Sequence, residues 1–162
     1  METTNPETTI PDAAIPGTAA AGGGHEYRQR VPTRWNDNDA FGHINNTIYY
    51  AAMDTTITTW LLRVGRLDVE AGDVIAVVVS SSCEYRESAS YPDALIVAMT
   101  AGRIGTTSIA WQLDIYRESD GSLVASGKFV HVFLDGVTRR PVEIPPRLRE
   151  AVERELVAAD DE

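Results

Sequence analysis

The densest group of reactive side chains in the sequence lies between Arg34 and Asn46, which carries two aspartates, one histidine and four asparagines. A carboxylate in such a run can attack a carbonyl carbon or activate water as a general base. The run leads into a segment with helical periodicity, and the first backbone amides of a helix bind carbonyl oxygens and oxyanions. The pattern is therefore a candidate site for carbonyl chemistry.

The same residues also allow a purely structural interpretation. Asp37 and Asp39 can accept hydrogen bonds from backbone amides two residues further along, as Asx turns, and Asn45 can cap the helix that follows. Residue types alone do not choose between a catalytic run and a turn-forming one, so both interpretations stay open at this point.

Several other chemistries lack their motifs. The sequence has no Gly-x-Ser-x-Gly nucleophile motif, no phosphate-binding loop ending in Lys-Ser/Thr and no dinucleotide-binding fingerprint. Its three histidines, His25, His43 and His131, and its single cysteine, Cys83, have no metal-site spacing. We therefore expect neither a metal nor an organic cofactor.

The elements that must position the run follow from hydrophobic periodicity. Residues 27–35 are predicted as a first strand, and 46–64 as one long helix because apolar side chains recur every three or four residues, at Tyr49, Met53, Ile57, Trp60 and Val64. Four more strands are predicted, followed by a short terminal helix: 74–87, 95–104, 108–117, 123–133 and 148–156. Sequential strands with short connections indicate an antiparallel sheet, with the lone helix on its concave face.

Composition limits the partners. The 162 residues include 24 acidic and 14 basic side chains, for a net charge of −10, which argues against binding to nucleic acid or an anionic membrane. The longest aliphatic run, 74–79, is far shorter than the roughly 20 residues that span a bilayer. The amino terminus lacks the basic start and apolar core of a signal peptide, and one cysteine suits a reducing compartment, so we expect a cytoplasmic protein.

The ends of the chain differ from its middle. Residues 1–24 carry three prolines, four glycines and no aromatic side chain, so they cannot offset the entropy of ordering and are predicted to be a disordered tail. Residues 25–158 are predicted to form one domain, and residues 159–162 a short acidic tail.

The run Trp-x-Asp-x-Asp-Ala-Phe-Gly-His-Ile-Asn-Asn at 35–46, with Tyr49 one turn later, resembles the signature of the 4-hydroxybenzoyl-CoA thioesterase-like acyl-CoA thioesterases. Similar residues continue at 83–87, 91–93, 103–108 and 139–141, so the resemblance covers about residues 27–158. It implies the hotdog fold, an α+β architecture in which a five-stranded antiparallel sheet wraps around a long central helix.

The resemblance also implies an activity, which is hydrolysis of an acyl-CoA thioester to a carboxylic acid and free CoA by a homodimer or homotetramer. Asp39, the second aspartate of the motif, is the implied catalytic residue, either as nucleophile or as base for water. The implied substrate-binding residues are Gly42, His43, Asn45, Asn46, Tyr49 and Arg103. His43 could contact the substrate or Asp39, or simply fix the loop.

Asp54 is a second catalytic candidate, because a related hotdog branch uses a carboxylate on the helix. Its alternative role is to pair with Arg63 or to solvate a helix face. The phosphates of CoA require cations, for which Arg63, Arg66, Arg86 and Arg103 are candidates. The alternative function is a non-catalytic hotdog domain that binds an acyl thioester, on CoA or on an acyl carrier protein, or a protein partner.

Overall fold

The structure is a computed structural model that describes residues 25–68 and 70–157, so the predicted tails at 1–24 and 159–162 lie outside the described residues. The elements follow the chain as β1 (Tyr27–Val31), α1 (Asn46–Arg63), β2 (Val74–Tyr85), β3 (Leu95–Ile104), β4 (Ser108–Arg117), β5 (Leu123–Asp135) and α2 (Pro146–Leu156). The first strand ends earlier than predicted. Pro32 has no backbone N–H, and Trp35 lies in a 3₁₀ turn instead.

The five strands form one antiparallel sheet in the order β1-β3-β4-β5-β2. Although β2 precedes β3 in sequence, it pairs with β5 at the opposite edge of the sheet. The connection 86–94 therefore crosses one end of the sheet. This crossing brings the connection to the loop that precedes α1.

The helix α1 has 18 residues and packs on one face of the sheet against β1, β3 and β4. Of the predicted apolar stripe, Tyr49, Met53, Ile57 and Trp60 are buried, and Val64 at its end is half-buried. The Trp60 ring lies 5.8 Å from that of Trp111 on β4, measured between ring centroids. The sheet and the helix on its face together form the core, as the mixed α+β prediction requires.

Strand β2 contains a register shift between Val78 and Ser80. Before the shift, Val78 lies opposite His131 on the face of the sheet that carries α1. After it, Tyr85 lies opposite the buried Ala125 on that same face. An extra residue in one strand of an antiparallel pair is a β-bulge. Because of it, the residues of β2 that face α1 are even-numbered before the bulge and odd-numbered after it.

The helix α2 packs beside the end of α1. Four of its side chains are buried: Leu148, Ala151, Val152 and Leu156. A Cβ at Gly65 would lie 2.5 Å from Leu148 Cδ1, so close packing against α2 favours glycine at this position. The backbone takes its left-handed conformation one residue later, at Arg66, with φ of 55°. Among the described residues, neither helix is long and apolar enough to cross a membrane.

Candidate active site

Asp39 lies in a tight loop that closes around its own carboxylate. Asp39 Oδ1 accepts hydrogen bonds from the amides of Phe41 at 2.8 Å and His43 at 3.4 Å, and the Asp39 amide donates to the His43 carbonyl at 2.8 Å. Gly42 supplies the left-handed backbone of this turn, with φ of +81°. The other carboxylate oxygen, Oδ2, makes no hydrogen bond to the described part of the chain, so the side chain is both fixed and available.

Asp37 has a different role. Its side chain is buried and accepts hydrogen bonds from the backbone amide of Arg34 at 2.8 Å and from the Arg34 guanidinium at 3.1 Å. Its carbonyl oxygen accepts the amide of Asn45. With both carboxylate oxygens bound and the side chain 5% exposed, Asp37 has a structural role. It is not the predicted Asx turn, because its backbone partner is Arg34, three residues earlier, and not a residue further along.

The first turn of α1 is nearly saturated with hydrogen bonds. Asn45 Oδ1 accepts the Thr47 amide at 3.0 Å, and the Asn45 carbonyl accepts the Ile48 amide at 2.9 Å. The predicted capping role of Asn45 is therefore confirmed. Among the hydrogen bonds of the described residues, none uses the Asn46 amide, so this end of α1 offers one free N–H to a ligand.

An open pocket of about 360 Å³ lies beside this helix end. It brings together four of the predicted site residues, Asp39, His43, Asn46 and Tyr49. The opposite wall consists of residues 85–88, which extend from β2 into the connection 86–94. Tyr85 on this wall is a site residue that the sequence prediction lacks, although the segment 83–87, similar to the family's, is the signal that indicates it.

Tyr85 spans the gap between this wall and α1. Its hydroxyl donates a hydrogen bond to the Asn46 carbonyl at 3.3 Å, and its ring meets the buried ring of Tyr49 edge-on, with centroids 5.4 Å apart. Burial, together with the neighbouring Cys83, raises the pKa of Tyr85 to about 12. The phenol is therefore a protonated hydrogen-bond donor at neutral pH, although 44% of the residue is exposed.

Three hydrogen bonds hold the Asp39 loop against the connection 86–94. The Ile44 amide donates to the Ala89 carbonyl at 2.8 Å, and the Ser90 hydroxyl donates to the Gly42 carbonyl at 2.8 Å. The amide of Tyr91 donates to the side chain of Asn38 at 3.0 Å. The two walls of the pocket are thus fastened directly to each other.

Two predicted residues lie away from this pocket. Asp54 is exposed on α1, eight residues or about 12 Å along the helix from Asn46, and lines a separate shallow depression with Thr58 and Arg63. Within the described residues Asp54 forms no ion pair with Arg63. Arg103 is exposed near the end of β3. The roles of Asp54 and Arg103 stay predictions.

No metal-binding arrangement is present in the part of the chain that the structure describes, since no three His, Cys, Asp or Glu side chains are placed to hold an ion. The pocket is lined by carboxylate, amide and phenol groups, including the Asp39 and Glu87 carboxylates. The unbonded oxygen of Asp39 lies in the same pocket as two neutral donors, the Asn46 amide and the Tyr85 phenol, a combination that suits attack on a carbonyl group.

Solved structures resemble this fold over most of its length. The PA5185 protein of Pseudomonas aeruginosa strain PAO1 is 40% identical, with 82% of this chain and 93% of that chain covered and a TM-score of 0.77. The PA2801 protein of the same species, a proposed thioesterase, is 27% identical over 77% of this chain and 96% of that one, with a TM-score of 0.72.

A 1,4-dihydroxy-2-naphthoyl-CoA thioesterase from Synechocystis shares the fold at 18% identity, with 78% of this chain and 95% of that chain covered and a TM-score of 0.71. No curated protein sequence matches the chain. The family model described as the thioesterase-like superfamily matches residues 33–152, which include the Asp39 loop, α1 and the whole pocket. The chain therefore belongs to the thioesterase-like superfamily.

Proposed function

We propose that the protein hydrolyses acyl-CoA thioesters to a carboxylic acid and free CoA at the pocket beside the start of α1. One observation carries this proposal. Asp39 is held by loop amides through Oδ1, while Oδ2 and the Asn46 amide in the same pocket have no hydrogen-bond partner among the described residues. Membership of the thioesterase-like superfamily and the likeness to a CoA thioesterase support the substrate class.

The chemistry follows from these groups. As a base, Asp39 takes a proton from water while the water oxygen attacks the thioester carbonyl carbon, and the proton passes to the departing CoA sulfur. As a nucleophile, the carboxylate displaces the CoA thiolate and forms a mixed anhydride that water hydrolyses in a second step. In both routes the carbonyl oxygen gains negative charge, which the Asn46 N–H stabilises.

Homo-oligomerisation forms the second part of the proposal. Strand β2 is a twelve-residue edge strand, and at its bulge Val79 is 59% exposed. Exposed edges pair with other strands, so we propose that a second copy pairs along β2 and closes the open side of the pocket, giving a homodimer or a homotetramer. In that assembly α1 of each protomer is the central helix of the hotdog.

The phosphates of CoA and the compartment complete the proposal. Arg86 lines the pocket and is the nearest candidate for the phosphates, with Arg63, Arg66 and Arg103 as further candidates from the same or the second protomer.

Cys83 is free and half-buried on β2. A single unpaired thiol suits the reducing cytoplasm, where we propose that the protein acts.

The alternative function is a domain that binds an acyl thioester, on CoA or on an acyl carrier protein, or a protein partner, without turning it over. A thiol-release assay separates the two. The protein is offered a panel of aromatic and linear acyl-CoAs, and released CoA thiol is measured with a chromogenic disulfide. We expect steady release with at least one member. Saturable binding of acyl-CoA without release would contradict the hydrolase and favour the binding function.

A further inference from the structure

The hydroxyl of Tyr85 is poised to change partner. Its 3.3 Å bond to the Asn46 carbonyl is longer than the usual 2.7–2.8 Å of an O–H···O bond. As the first residue of α1, Asn46 also offers its carbonyl to the amide of Tyr50 in the regular helical pattern. The Tyr85 hydroxyl is thus a weak second partner of a satisfied acceptor, and it can leave at little cost.

The helix end by itself is a poor oxyanion site. Its cap occupies the amides of Thr47 and Ile48, while the Asn46 amide has no partner within the part of the chain that the structure describes. Catalytic sites for acyl transfer stabilise the developing oxyanion with preorganised donors, and loss of one donor costs about 10² to 10³-fold in rate. A second donor would have to come from a side chain that lines the same pocket and can reach the start of α1. The N–H and C=O of a helical residue point towards opposite ends of the helix, so a hydroxyl bonded to the Asn46 carbonyl must move towards the start of α1 to share an oxygen with the Asn46 amide.

Among the side chains of the pocket, Tyr85 meets this requirement through the hydroxyl that already reaches Asn46. We propose that this hydroxyl is the second hydrogen-bond donor to the thioester carbonyl oxygen, turning from the Asn46 carbonyl to the substrate when it binds. No covalent bond of Tyr85 forms or breaks, and its proton stays on the phenol. This inference rests on the proposed thioester hydrolysis.

The surroundings of Tyr85 favour a catalytic donor over a packing residue. The ring leans edge-on against Tyr49, which is itself buried and fixes the direction of the phenol. The hydroxyl end remains open to the pocket. Because the thioester oxygen carries more charge in the transition state than in the bound substrate, a donor at this position acts mainly on kcat.

The test is Tyr85→Phe, which removes one oxygen and keeps the ring against Tyr49. Tyr116→Phe is the matched control, because it removes a phenol oxygen from β4 on the opposite face of the sheet, where the ring contacts Arg28. Steady-state kinetics are measured with the best acyl-CoA from the thiol-release panel. We expect kcat of Tyr85→Phe to fall about 10² to 10³-fold with KM within about threefold, and Tyr116→Phe to match the parent.

Other outcomes overturn the inference. If kcat of Tyr85→Phe stays within twofold of the parent, or if only KM rises, the hydroxyl is not a transition-state donor. A fall in kcat that accompanies a lower melting temperature is resolved by Tyr85→Met, which refills the wall with a side chain that has no hydrogen-bond donor. If this variant recovers kcat, the role is packing, and the proposal fails. Absence of turnover by the parent protein, in contrast, contradicts the proposed function itself.

Discussion

The indole nitrogen of Trp111 donates a hydrogen bond to Nδ1 of His131 over 3.0 Å, and both side chains are buried on the face of the sheet that carries α1. An indole N–H can only donate, so Nδ1 must accept and the imidazole proton lies on Nε2. This pair therefore requires a neutral histidine. Burial lowers the pKa of His131, against a smaller opposing effect of the Asp54 carboxylate.

The first prediction concerns stability and pH. An unfolded histidine titrates near 6.5, and folded His131 titrates lower, so below pH 6.5 the unfolded chain binds more protons than the folded one. The contribution of His131 to stability is thus present above pH 6.5 and is lost as pH falls towards its folded pKa. We expect the melting temperature to fall between pH 7 and pH 5. The free energy of unfolding should decrease by at most about 1.4 kcal/mol per pH unit through this group.

His131→Gln tests the assignment, because glutamine keeps an acceptor for Trp111 but does not titrate. The variant should be less stable at pH 7 and should show a flatter dependence of melting temperature on pH than the parent. An unchanged slope in His131→Gln would exclude His131 as the titrating group.

The second prediction separates the two carboxylates. Asp39→Asn keeps an acceptor for the amides of Phe41 and His43 but removes the charge that base and nucleophile both require. We expect hydrolysis to fall by about 10² to 10⁴-fold with little change in melting temperature. Asp54→Asn, made in parallel, should stay within about tenfold of the parent. The reverse ranking would identify Asp54 as the catalytic residue.

The third prediction concerns two glycines with no room for a side chain. A Cβ at Gly127 would collide with Met53 Sδ, whereas a Cβ at Gly136 would collide with the carbonyl oxygen of Gly72. A methionine side chain can move, but a backbone carbonyl moves only with its loop. We expect Gly127→Ala to cost about 1–3 kcal/mol of unfolding free energy, and Gly136→Ala to cost more. Urea unfolding midpoints measure both, and equal losses would contradict this ranking.

The fourth prediction concerns assembly. Light scattering of the parent protein should give the mass of a dimer or a tetramer. Val79→Lys places a charge on the β2 edge and should lower that mass towards the monomer, together with turnover. Val137→Lys is the control, because Val137 is 89% exposed on the loop after β5. A monomeric parent, or an unchanged mass in Val79→Lys, would argue against pairing along β2.

Local periodicity predicted much of this fold. The stripe from Tyr49 to Trp60 is buried as expected, since helical spacing is a local property that the chain shows without partners. The bounds of β3 and β4 match those predicted. Along β5, His131 alternates with Val130 and Val132, and it lies buried against Trp111 while the two valines are half-buried.

Pairing between distant segments was not predictable in this way. Nothing in the order of the strands indicates that β2 lies beside β5, because that choice depends on contacts made across the whole sheet. The pocket wall at Tyr85 depends on this pairing, and so its role was missed. The Asp39 loop was recognised from its motif, but which carboxylate oxygen is bound and which amide is free are properties of three-dimensional packing.

The bulge at Val79 lets β2 carry one extra residue without turning its far end. The two neighbours of Val79 lie opposite adjacent residues of β5, so the pairing beyond the bulge, and with it the direction of Tyr85 towards α1 and of Glu84 away from it, is set by β5. Deleting Val79 would remove the bulge and leave both side chains on the same faces. In a relative without the bulge, the counterpart of Tyr85 therefore lies one residue closer to the Asp39 motif, and it is found by strand face, not by counting from that motif.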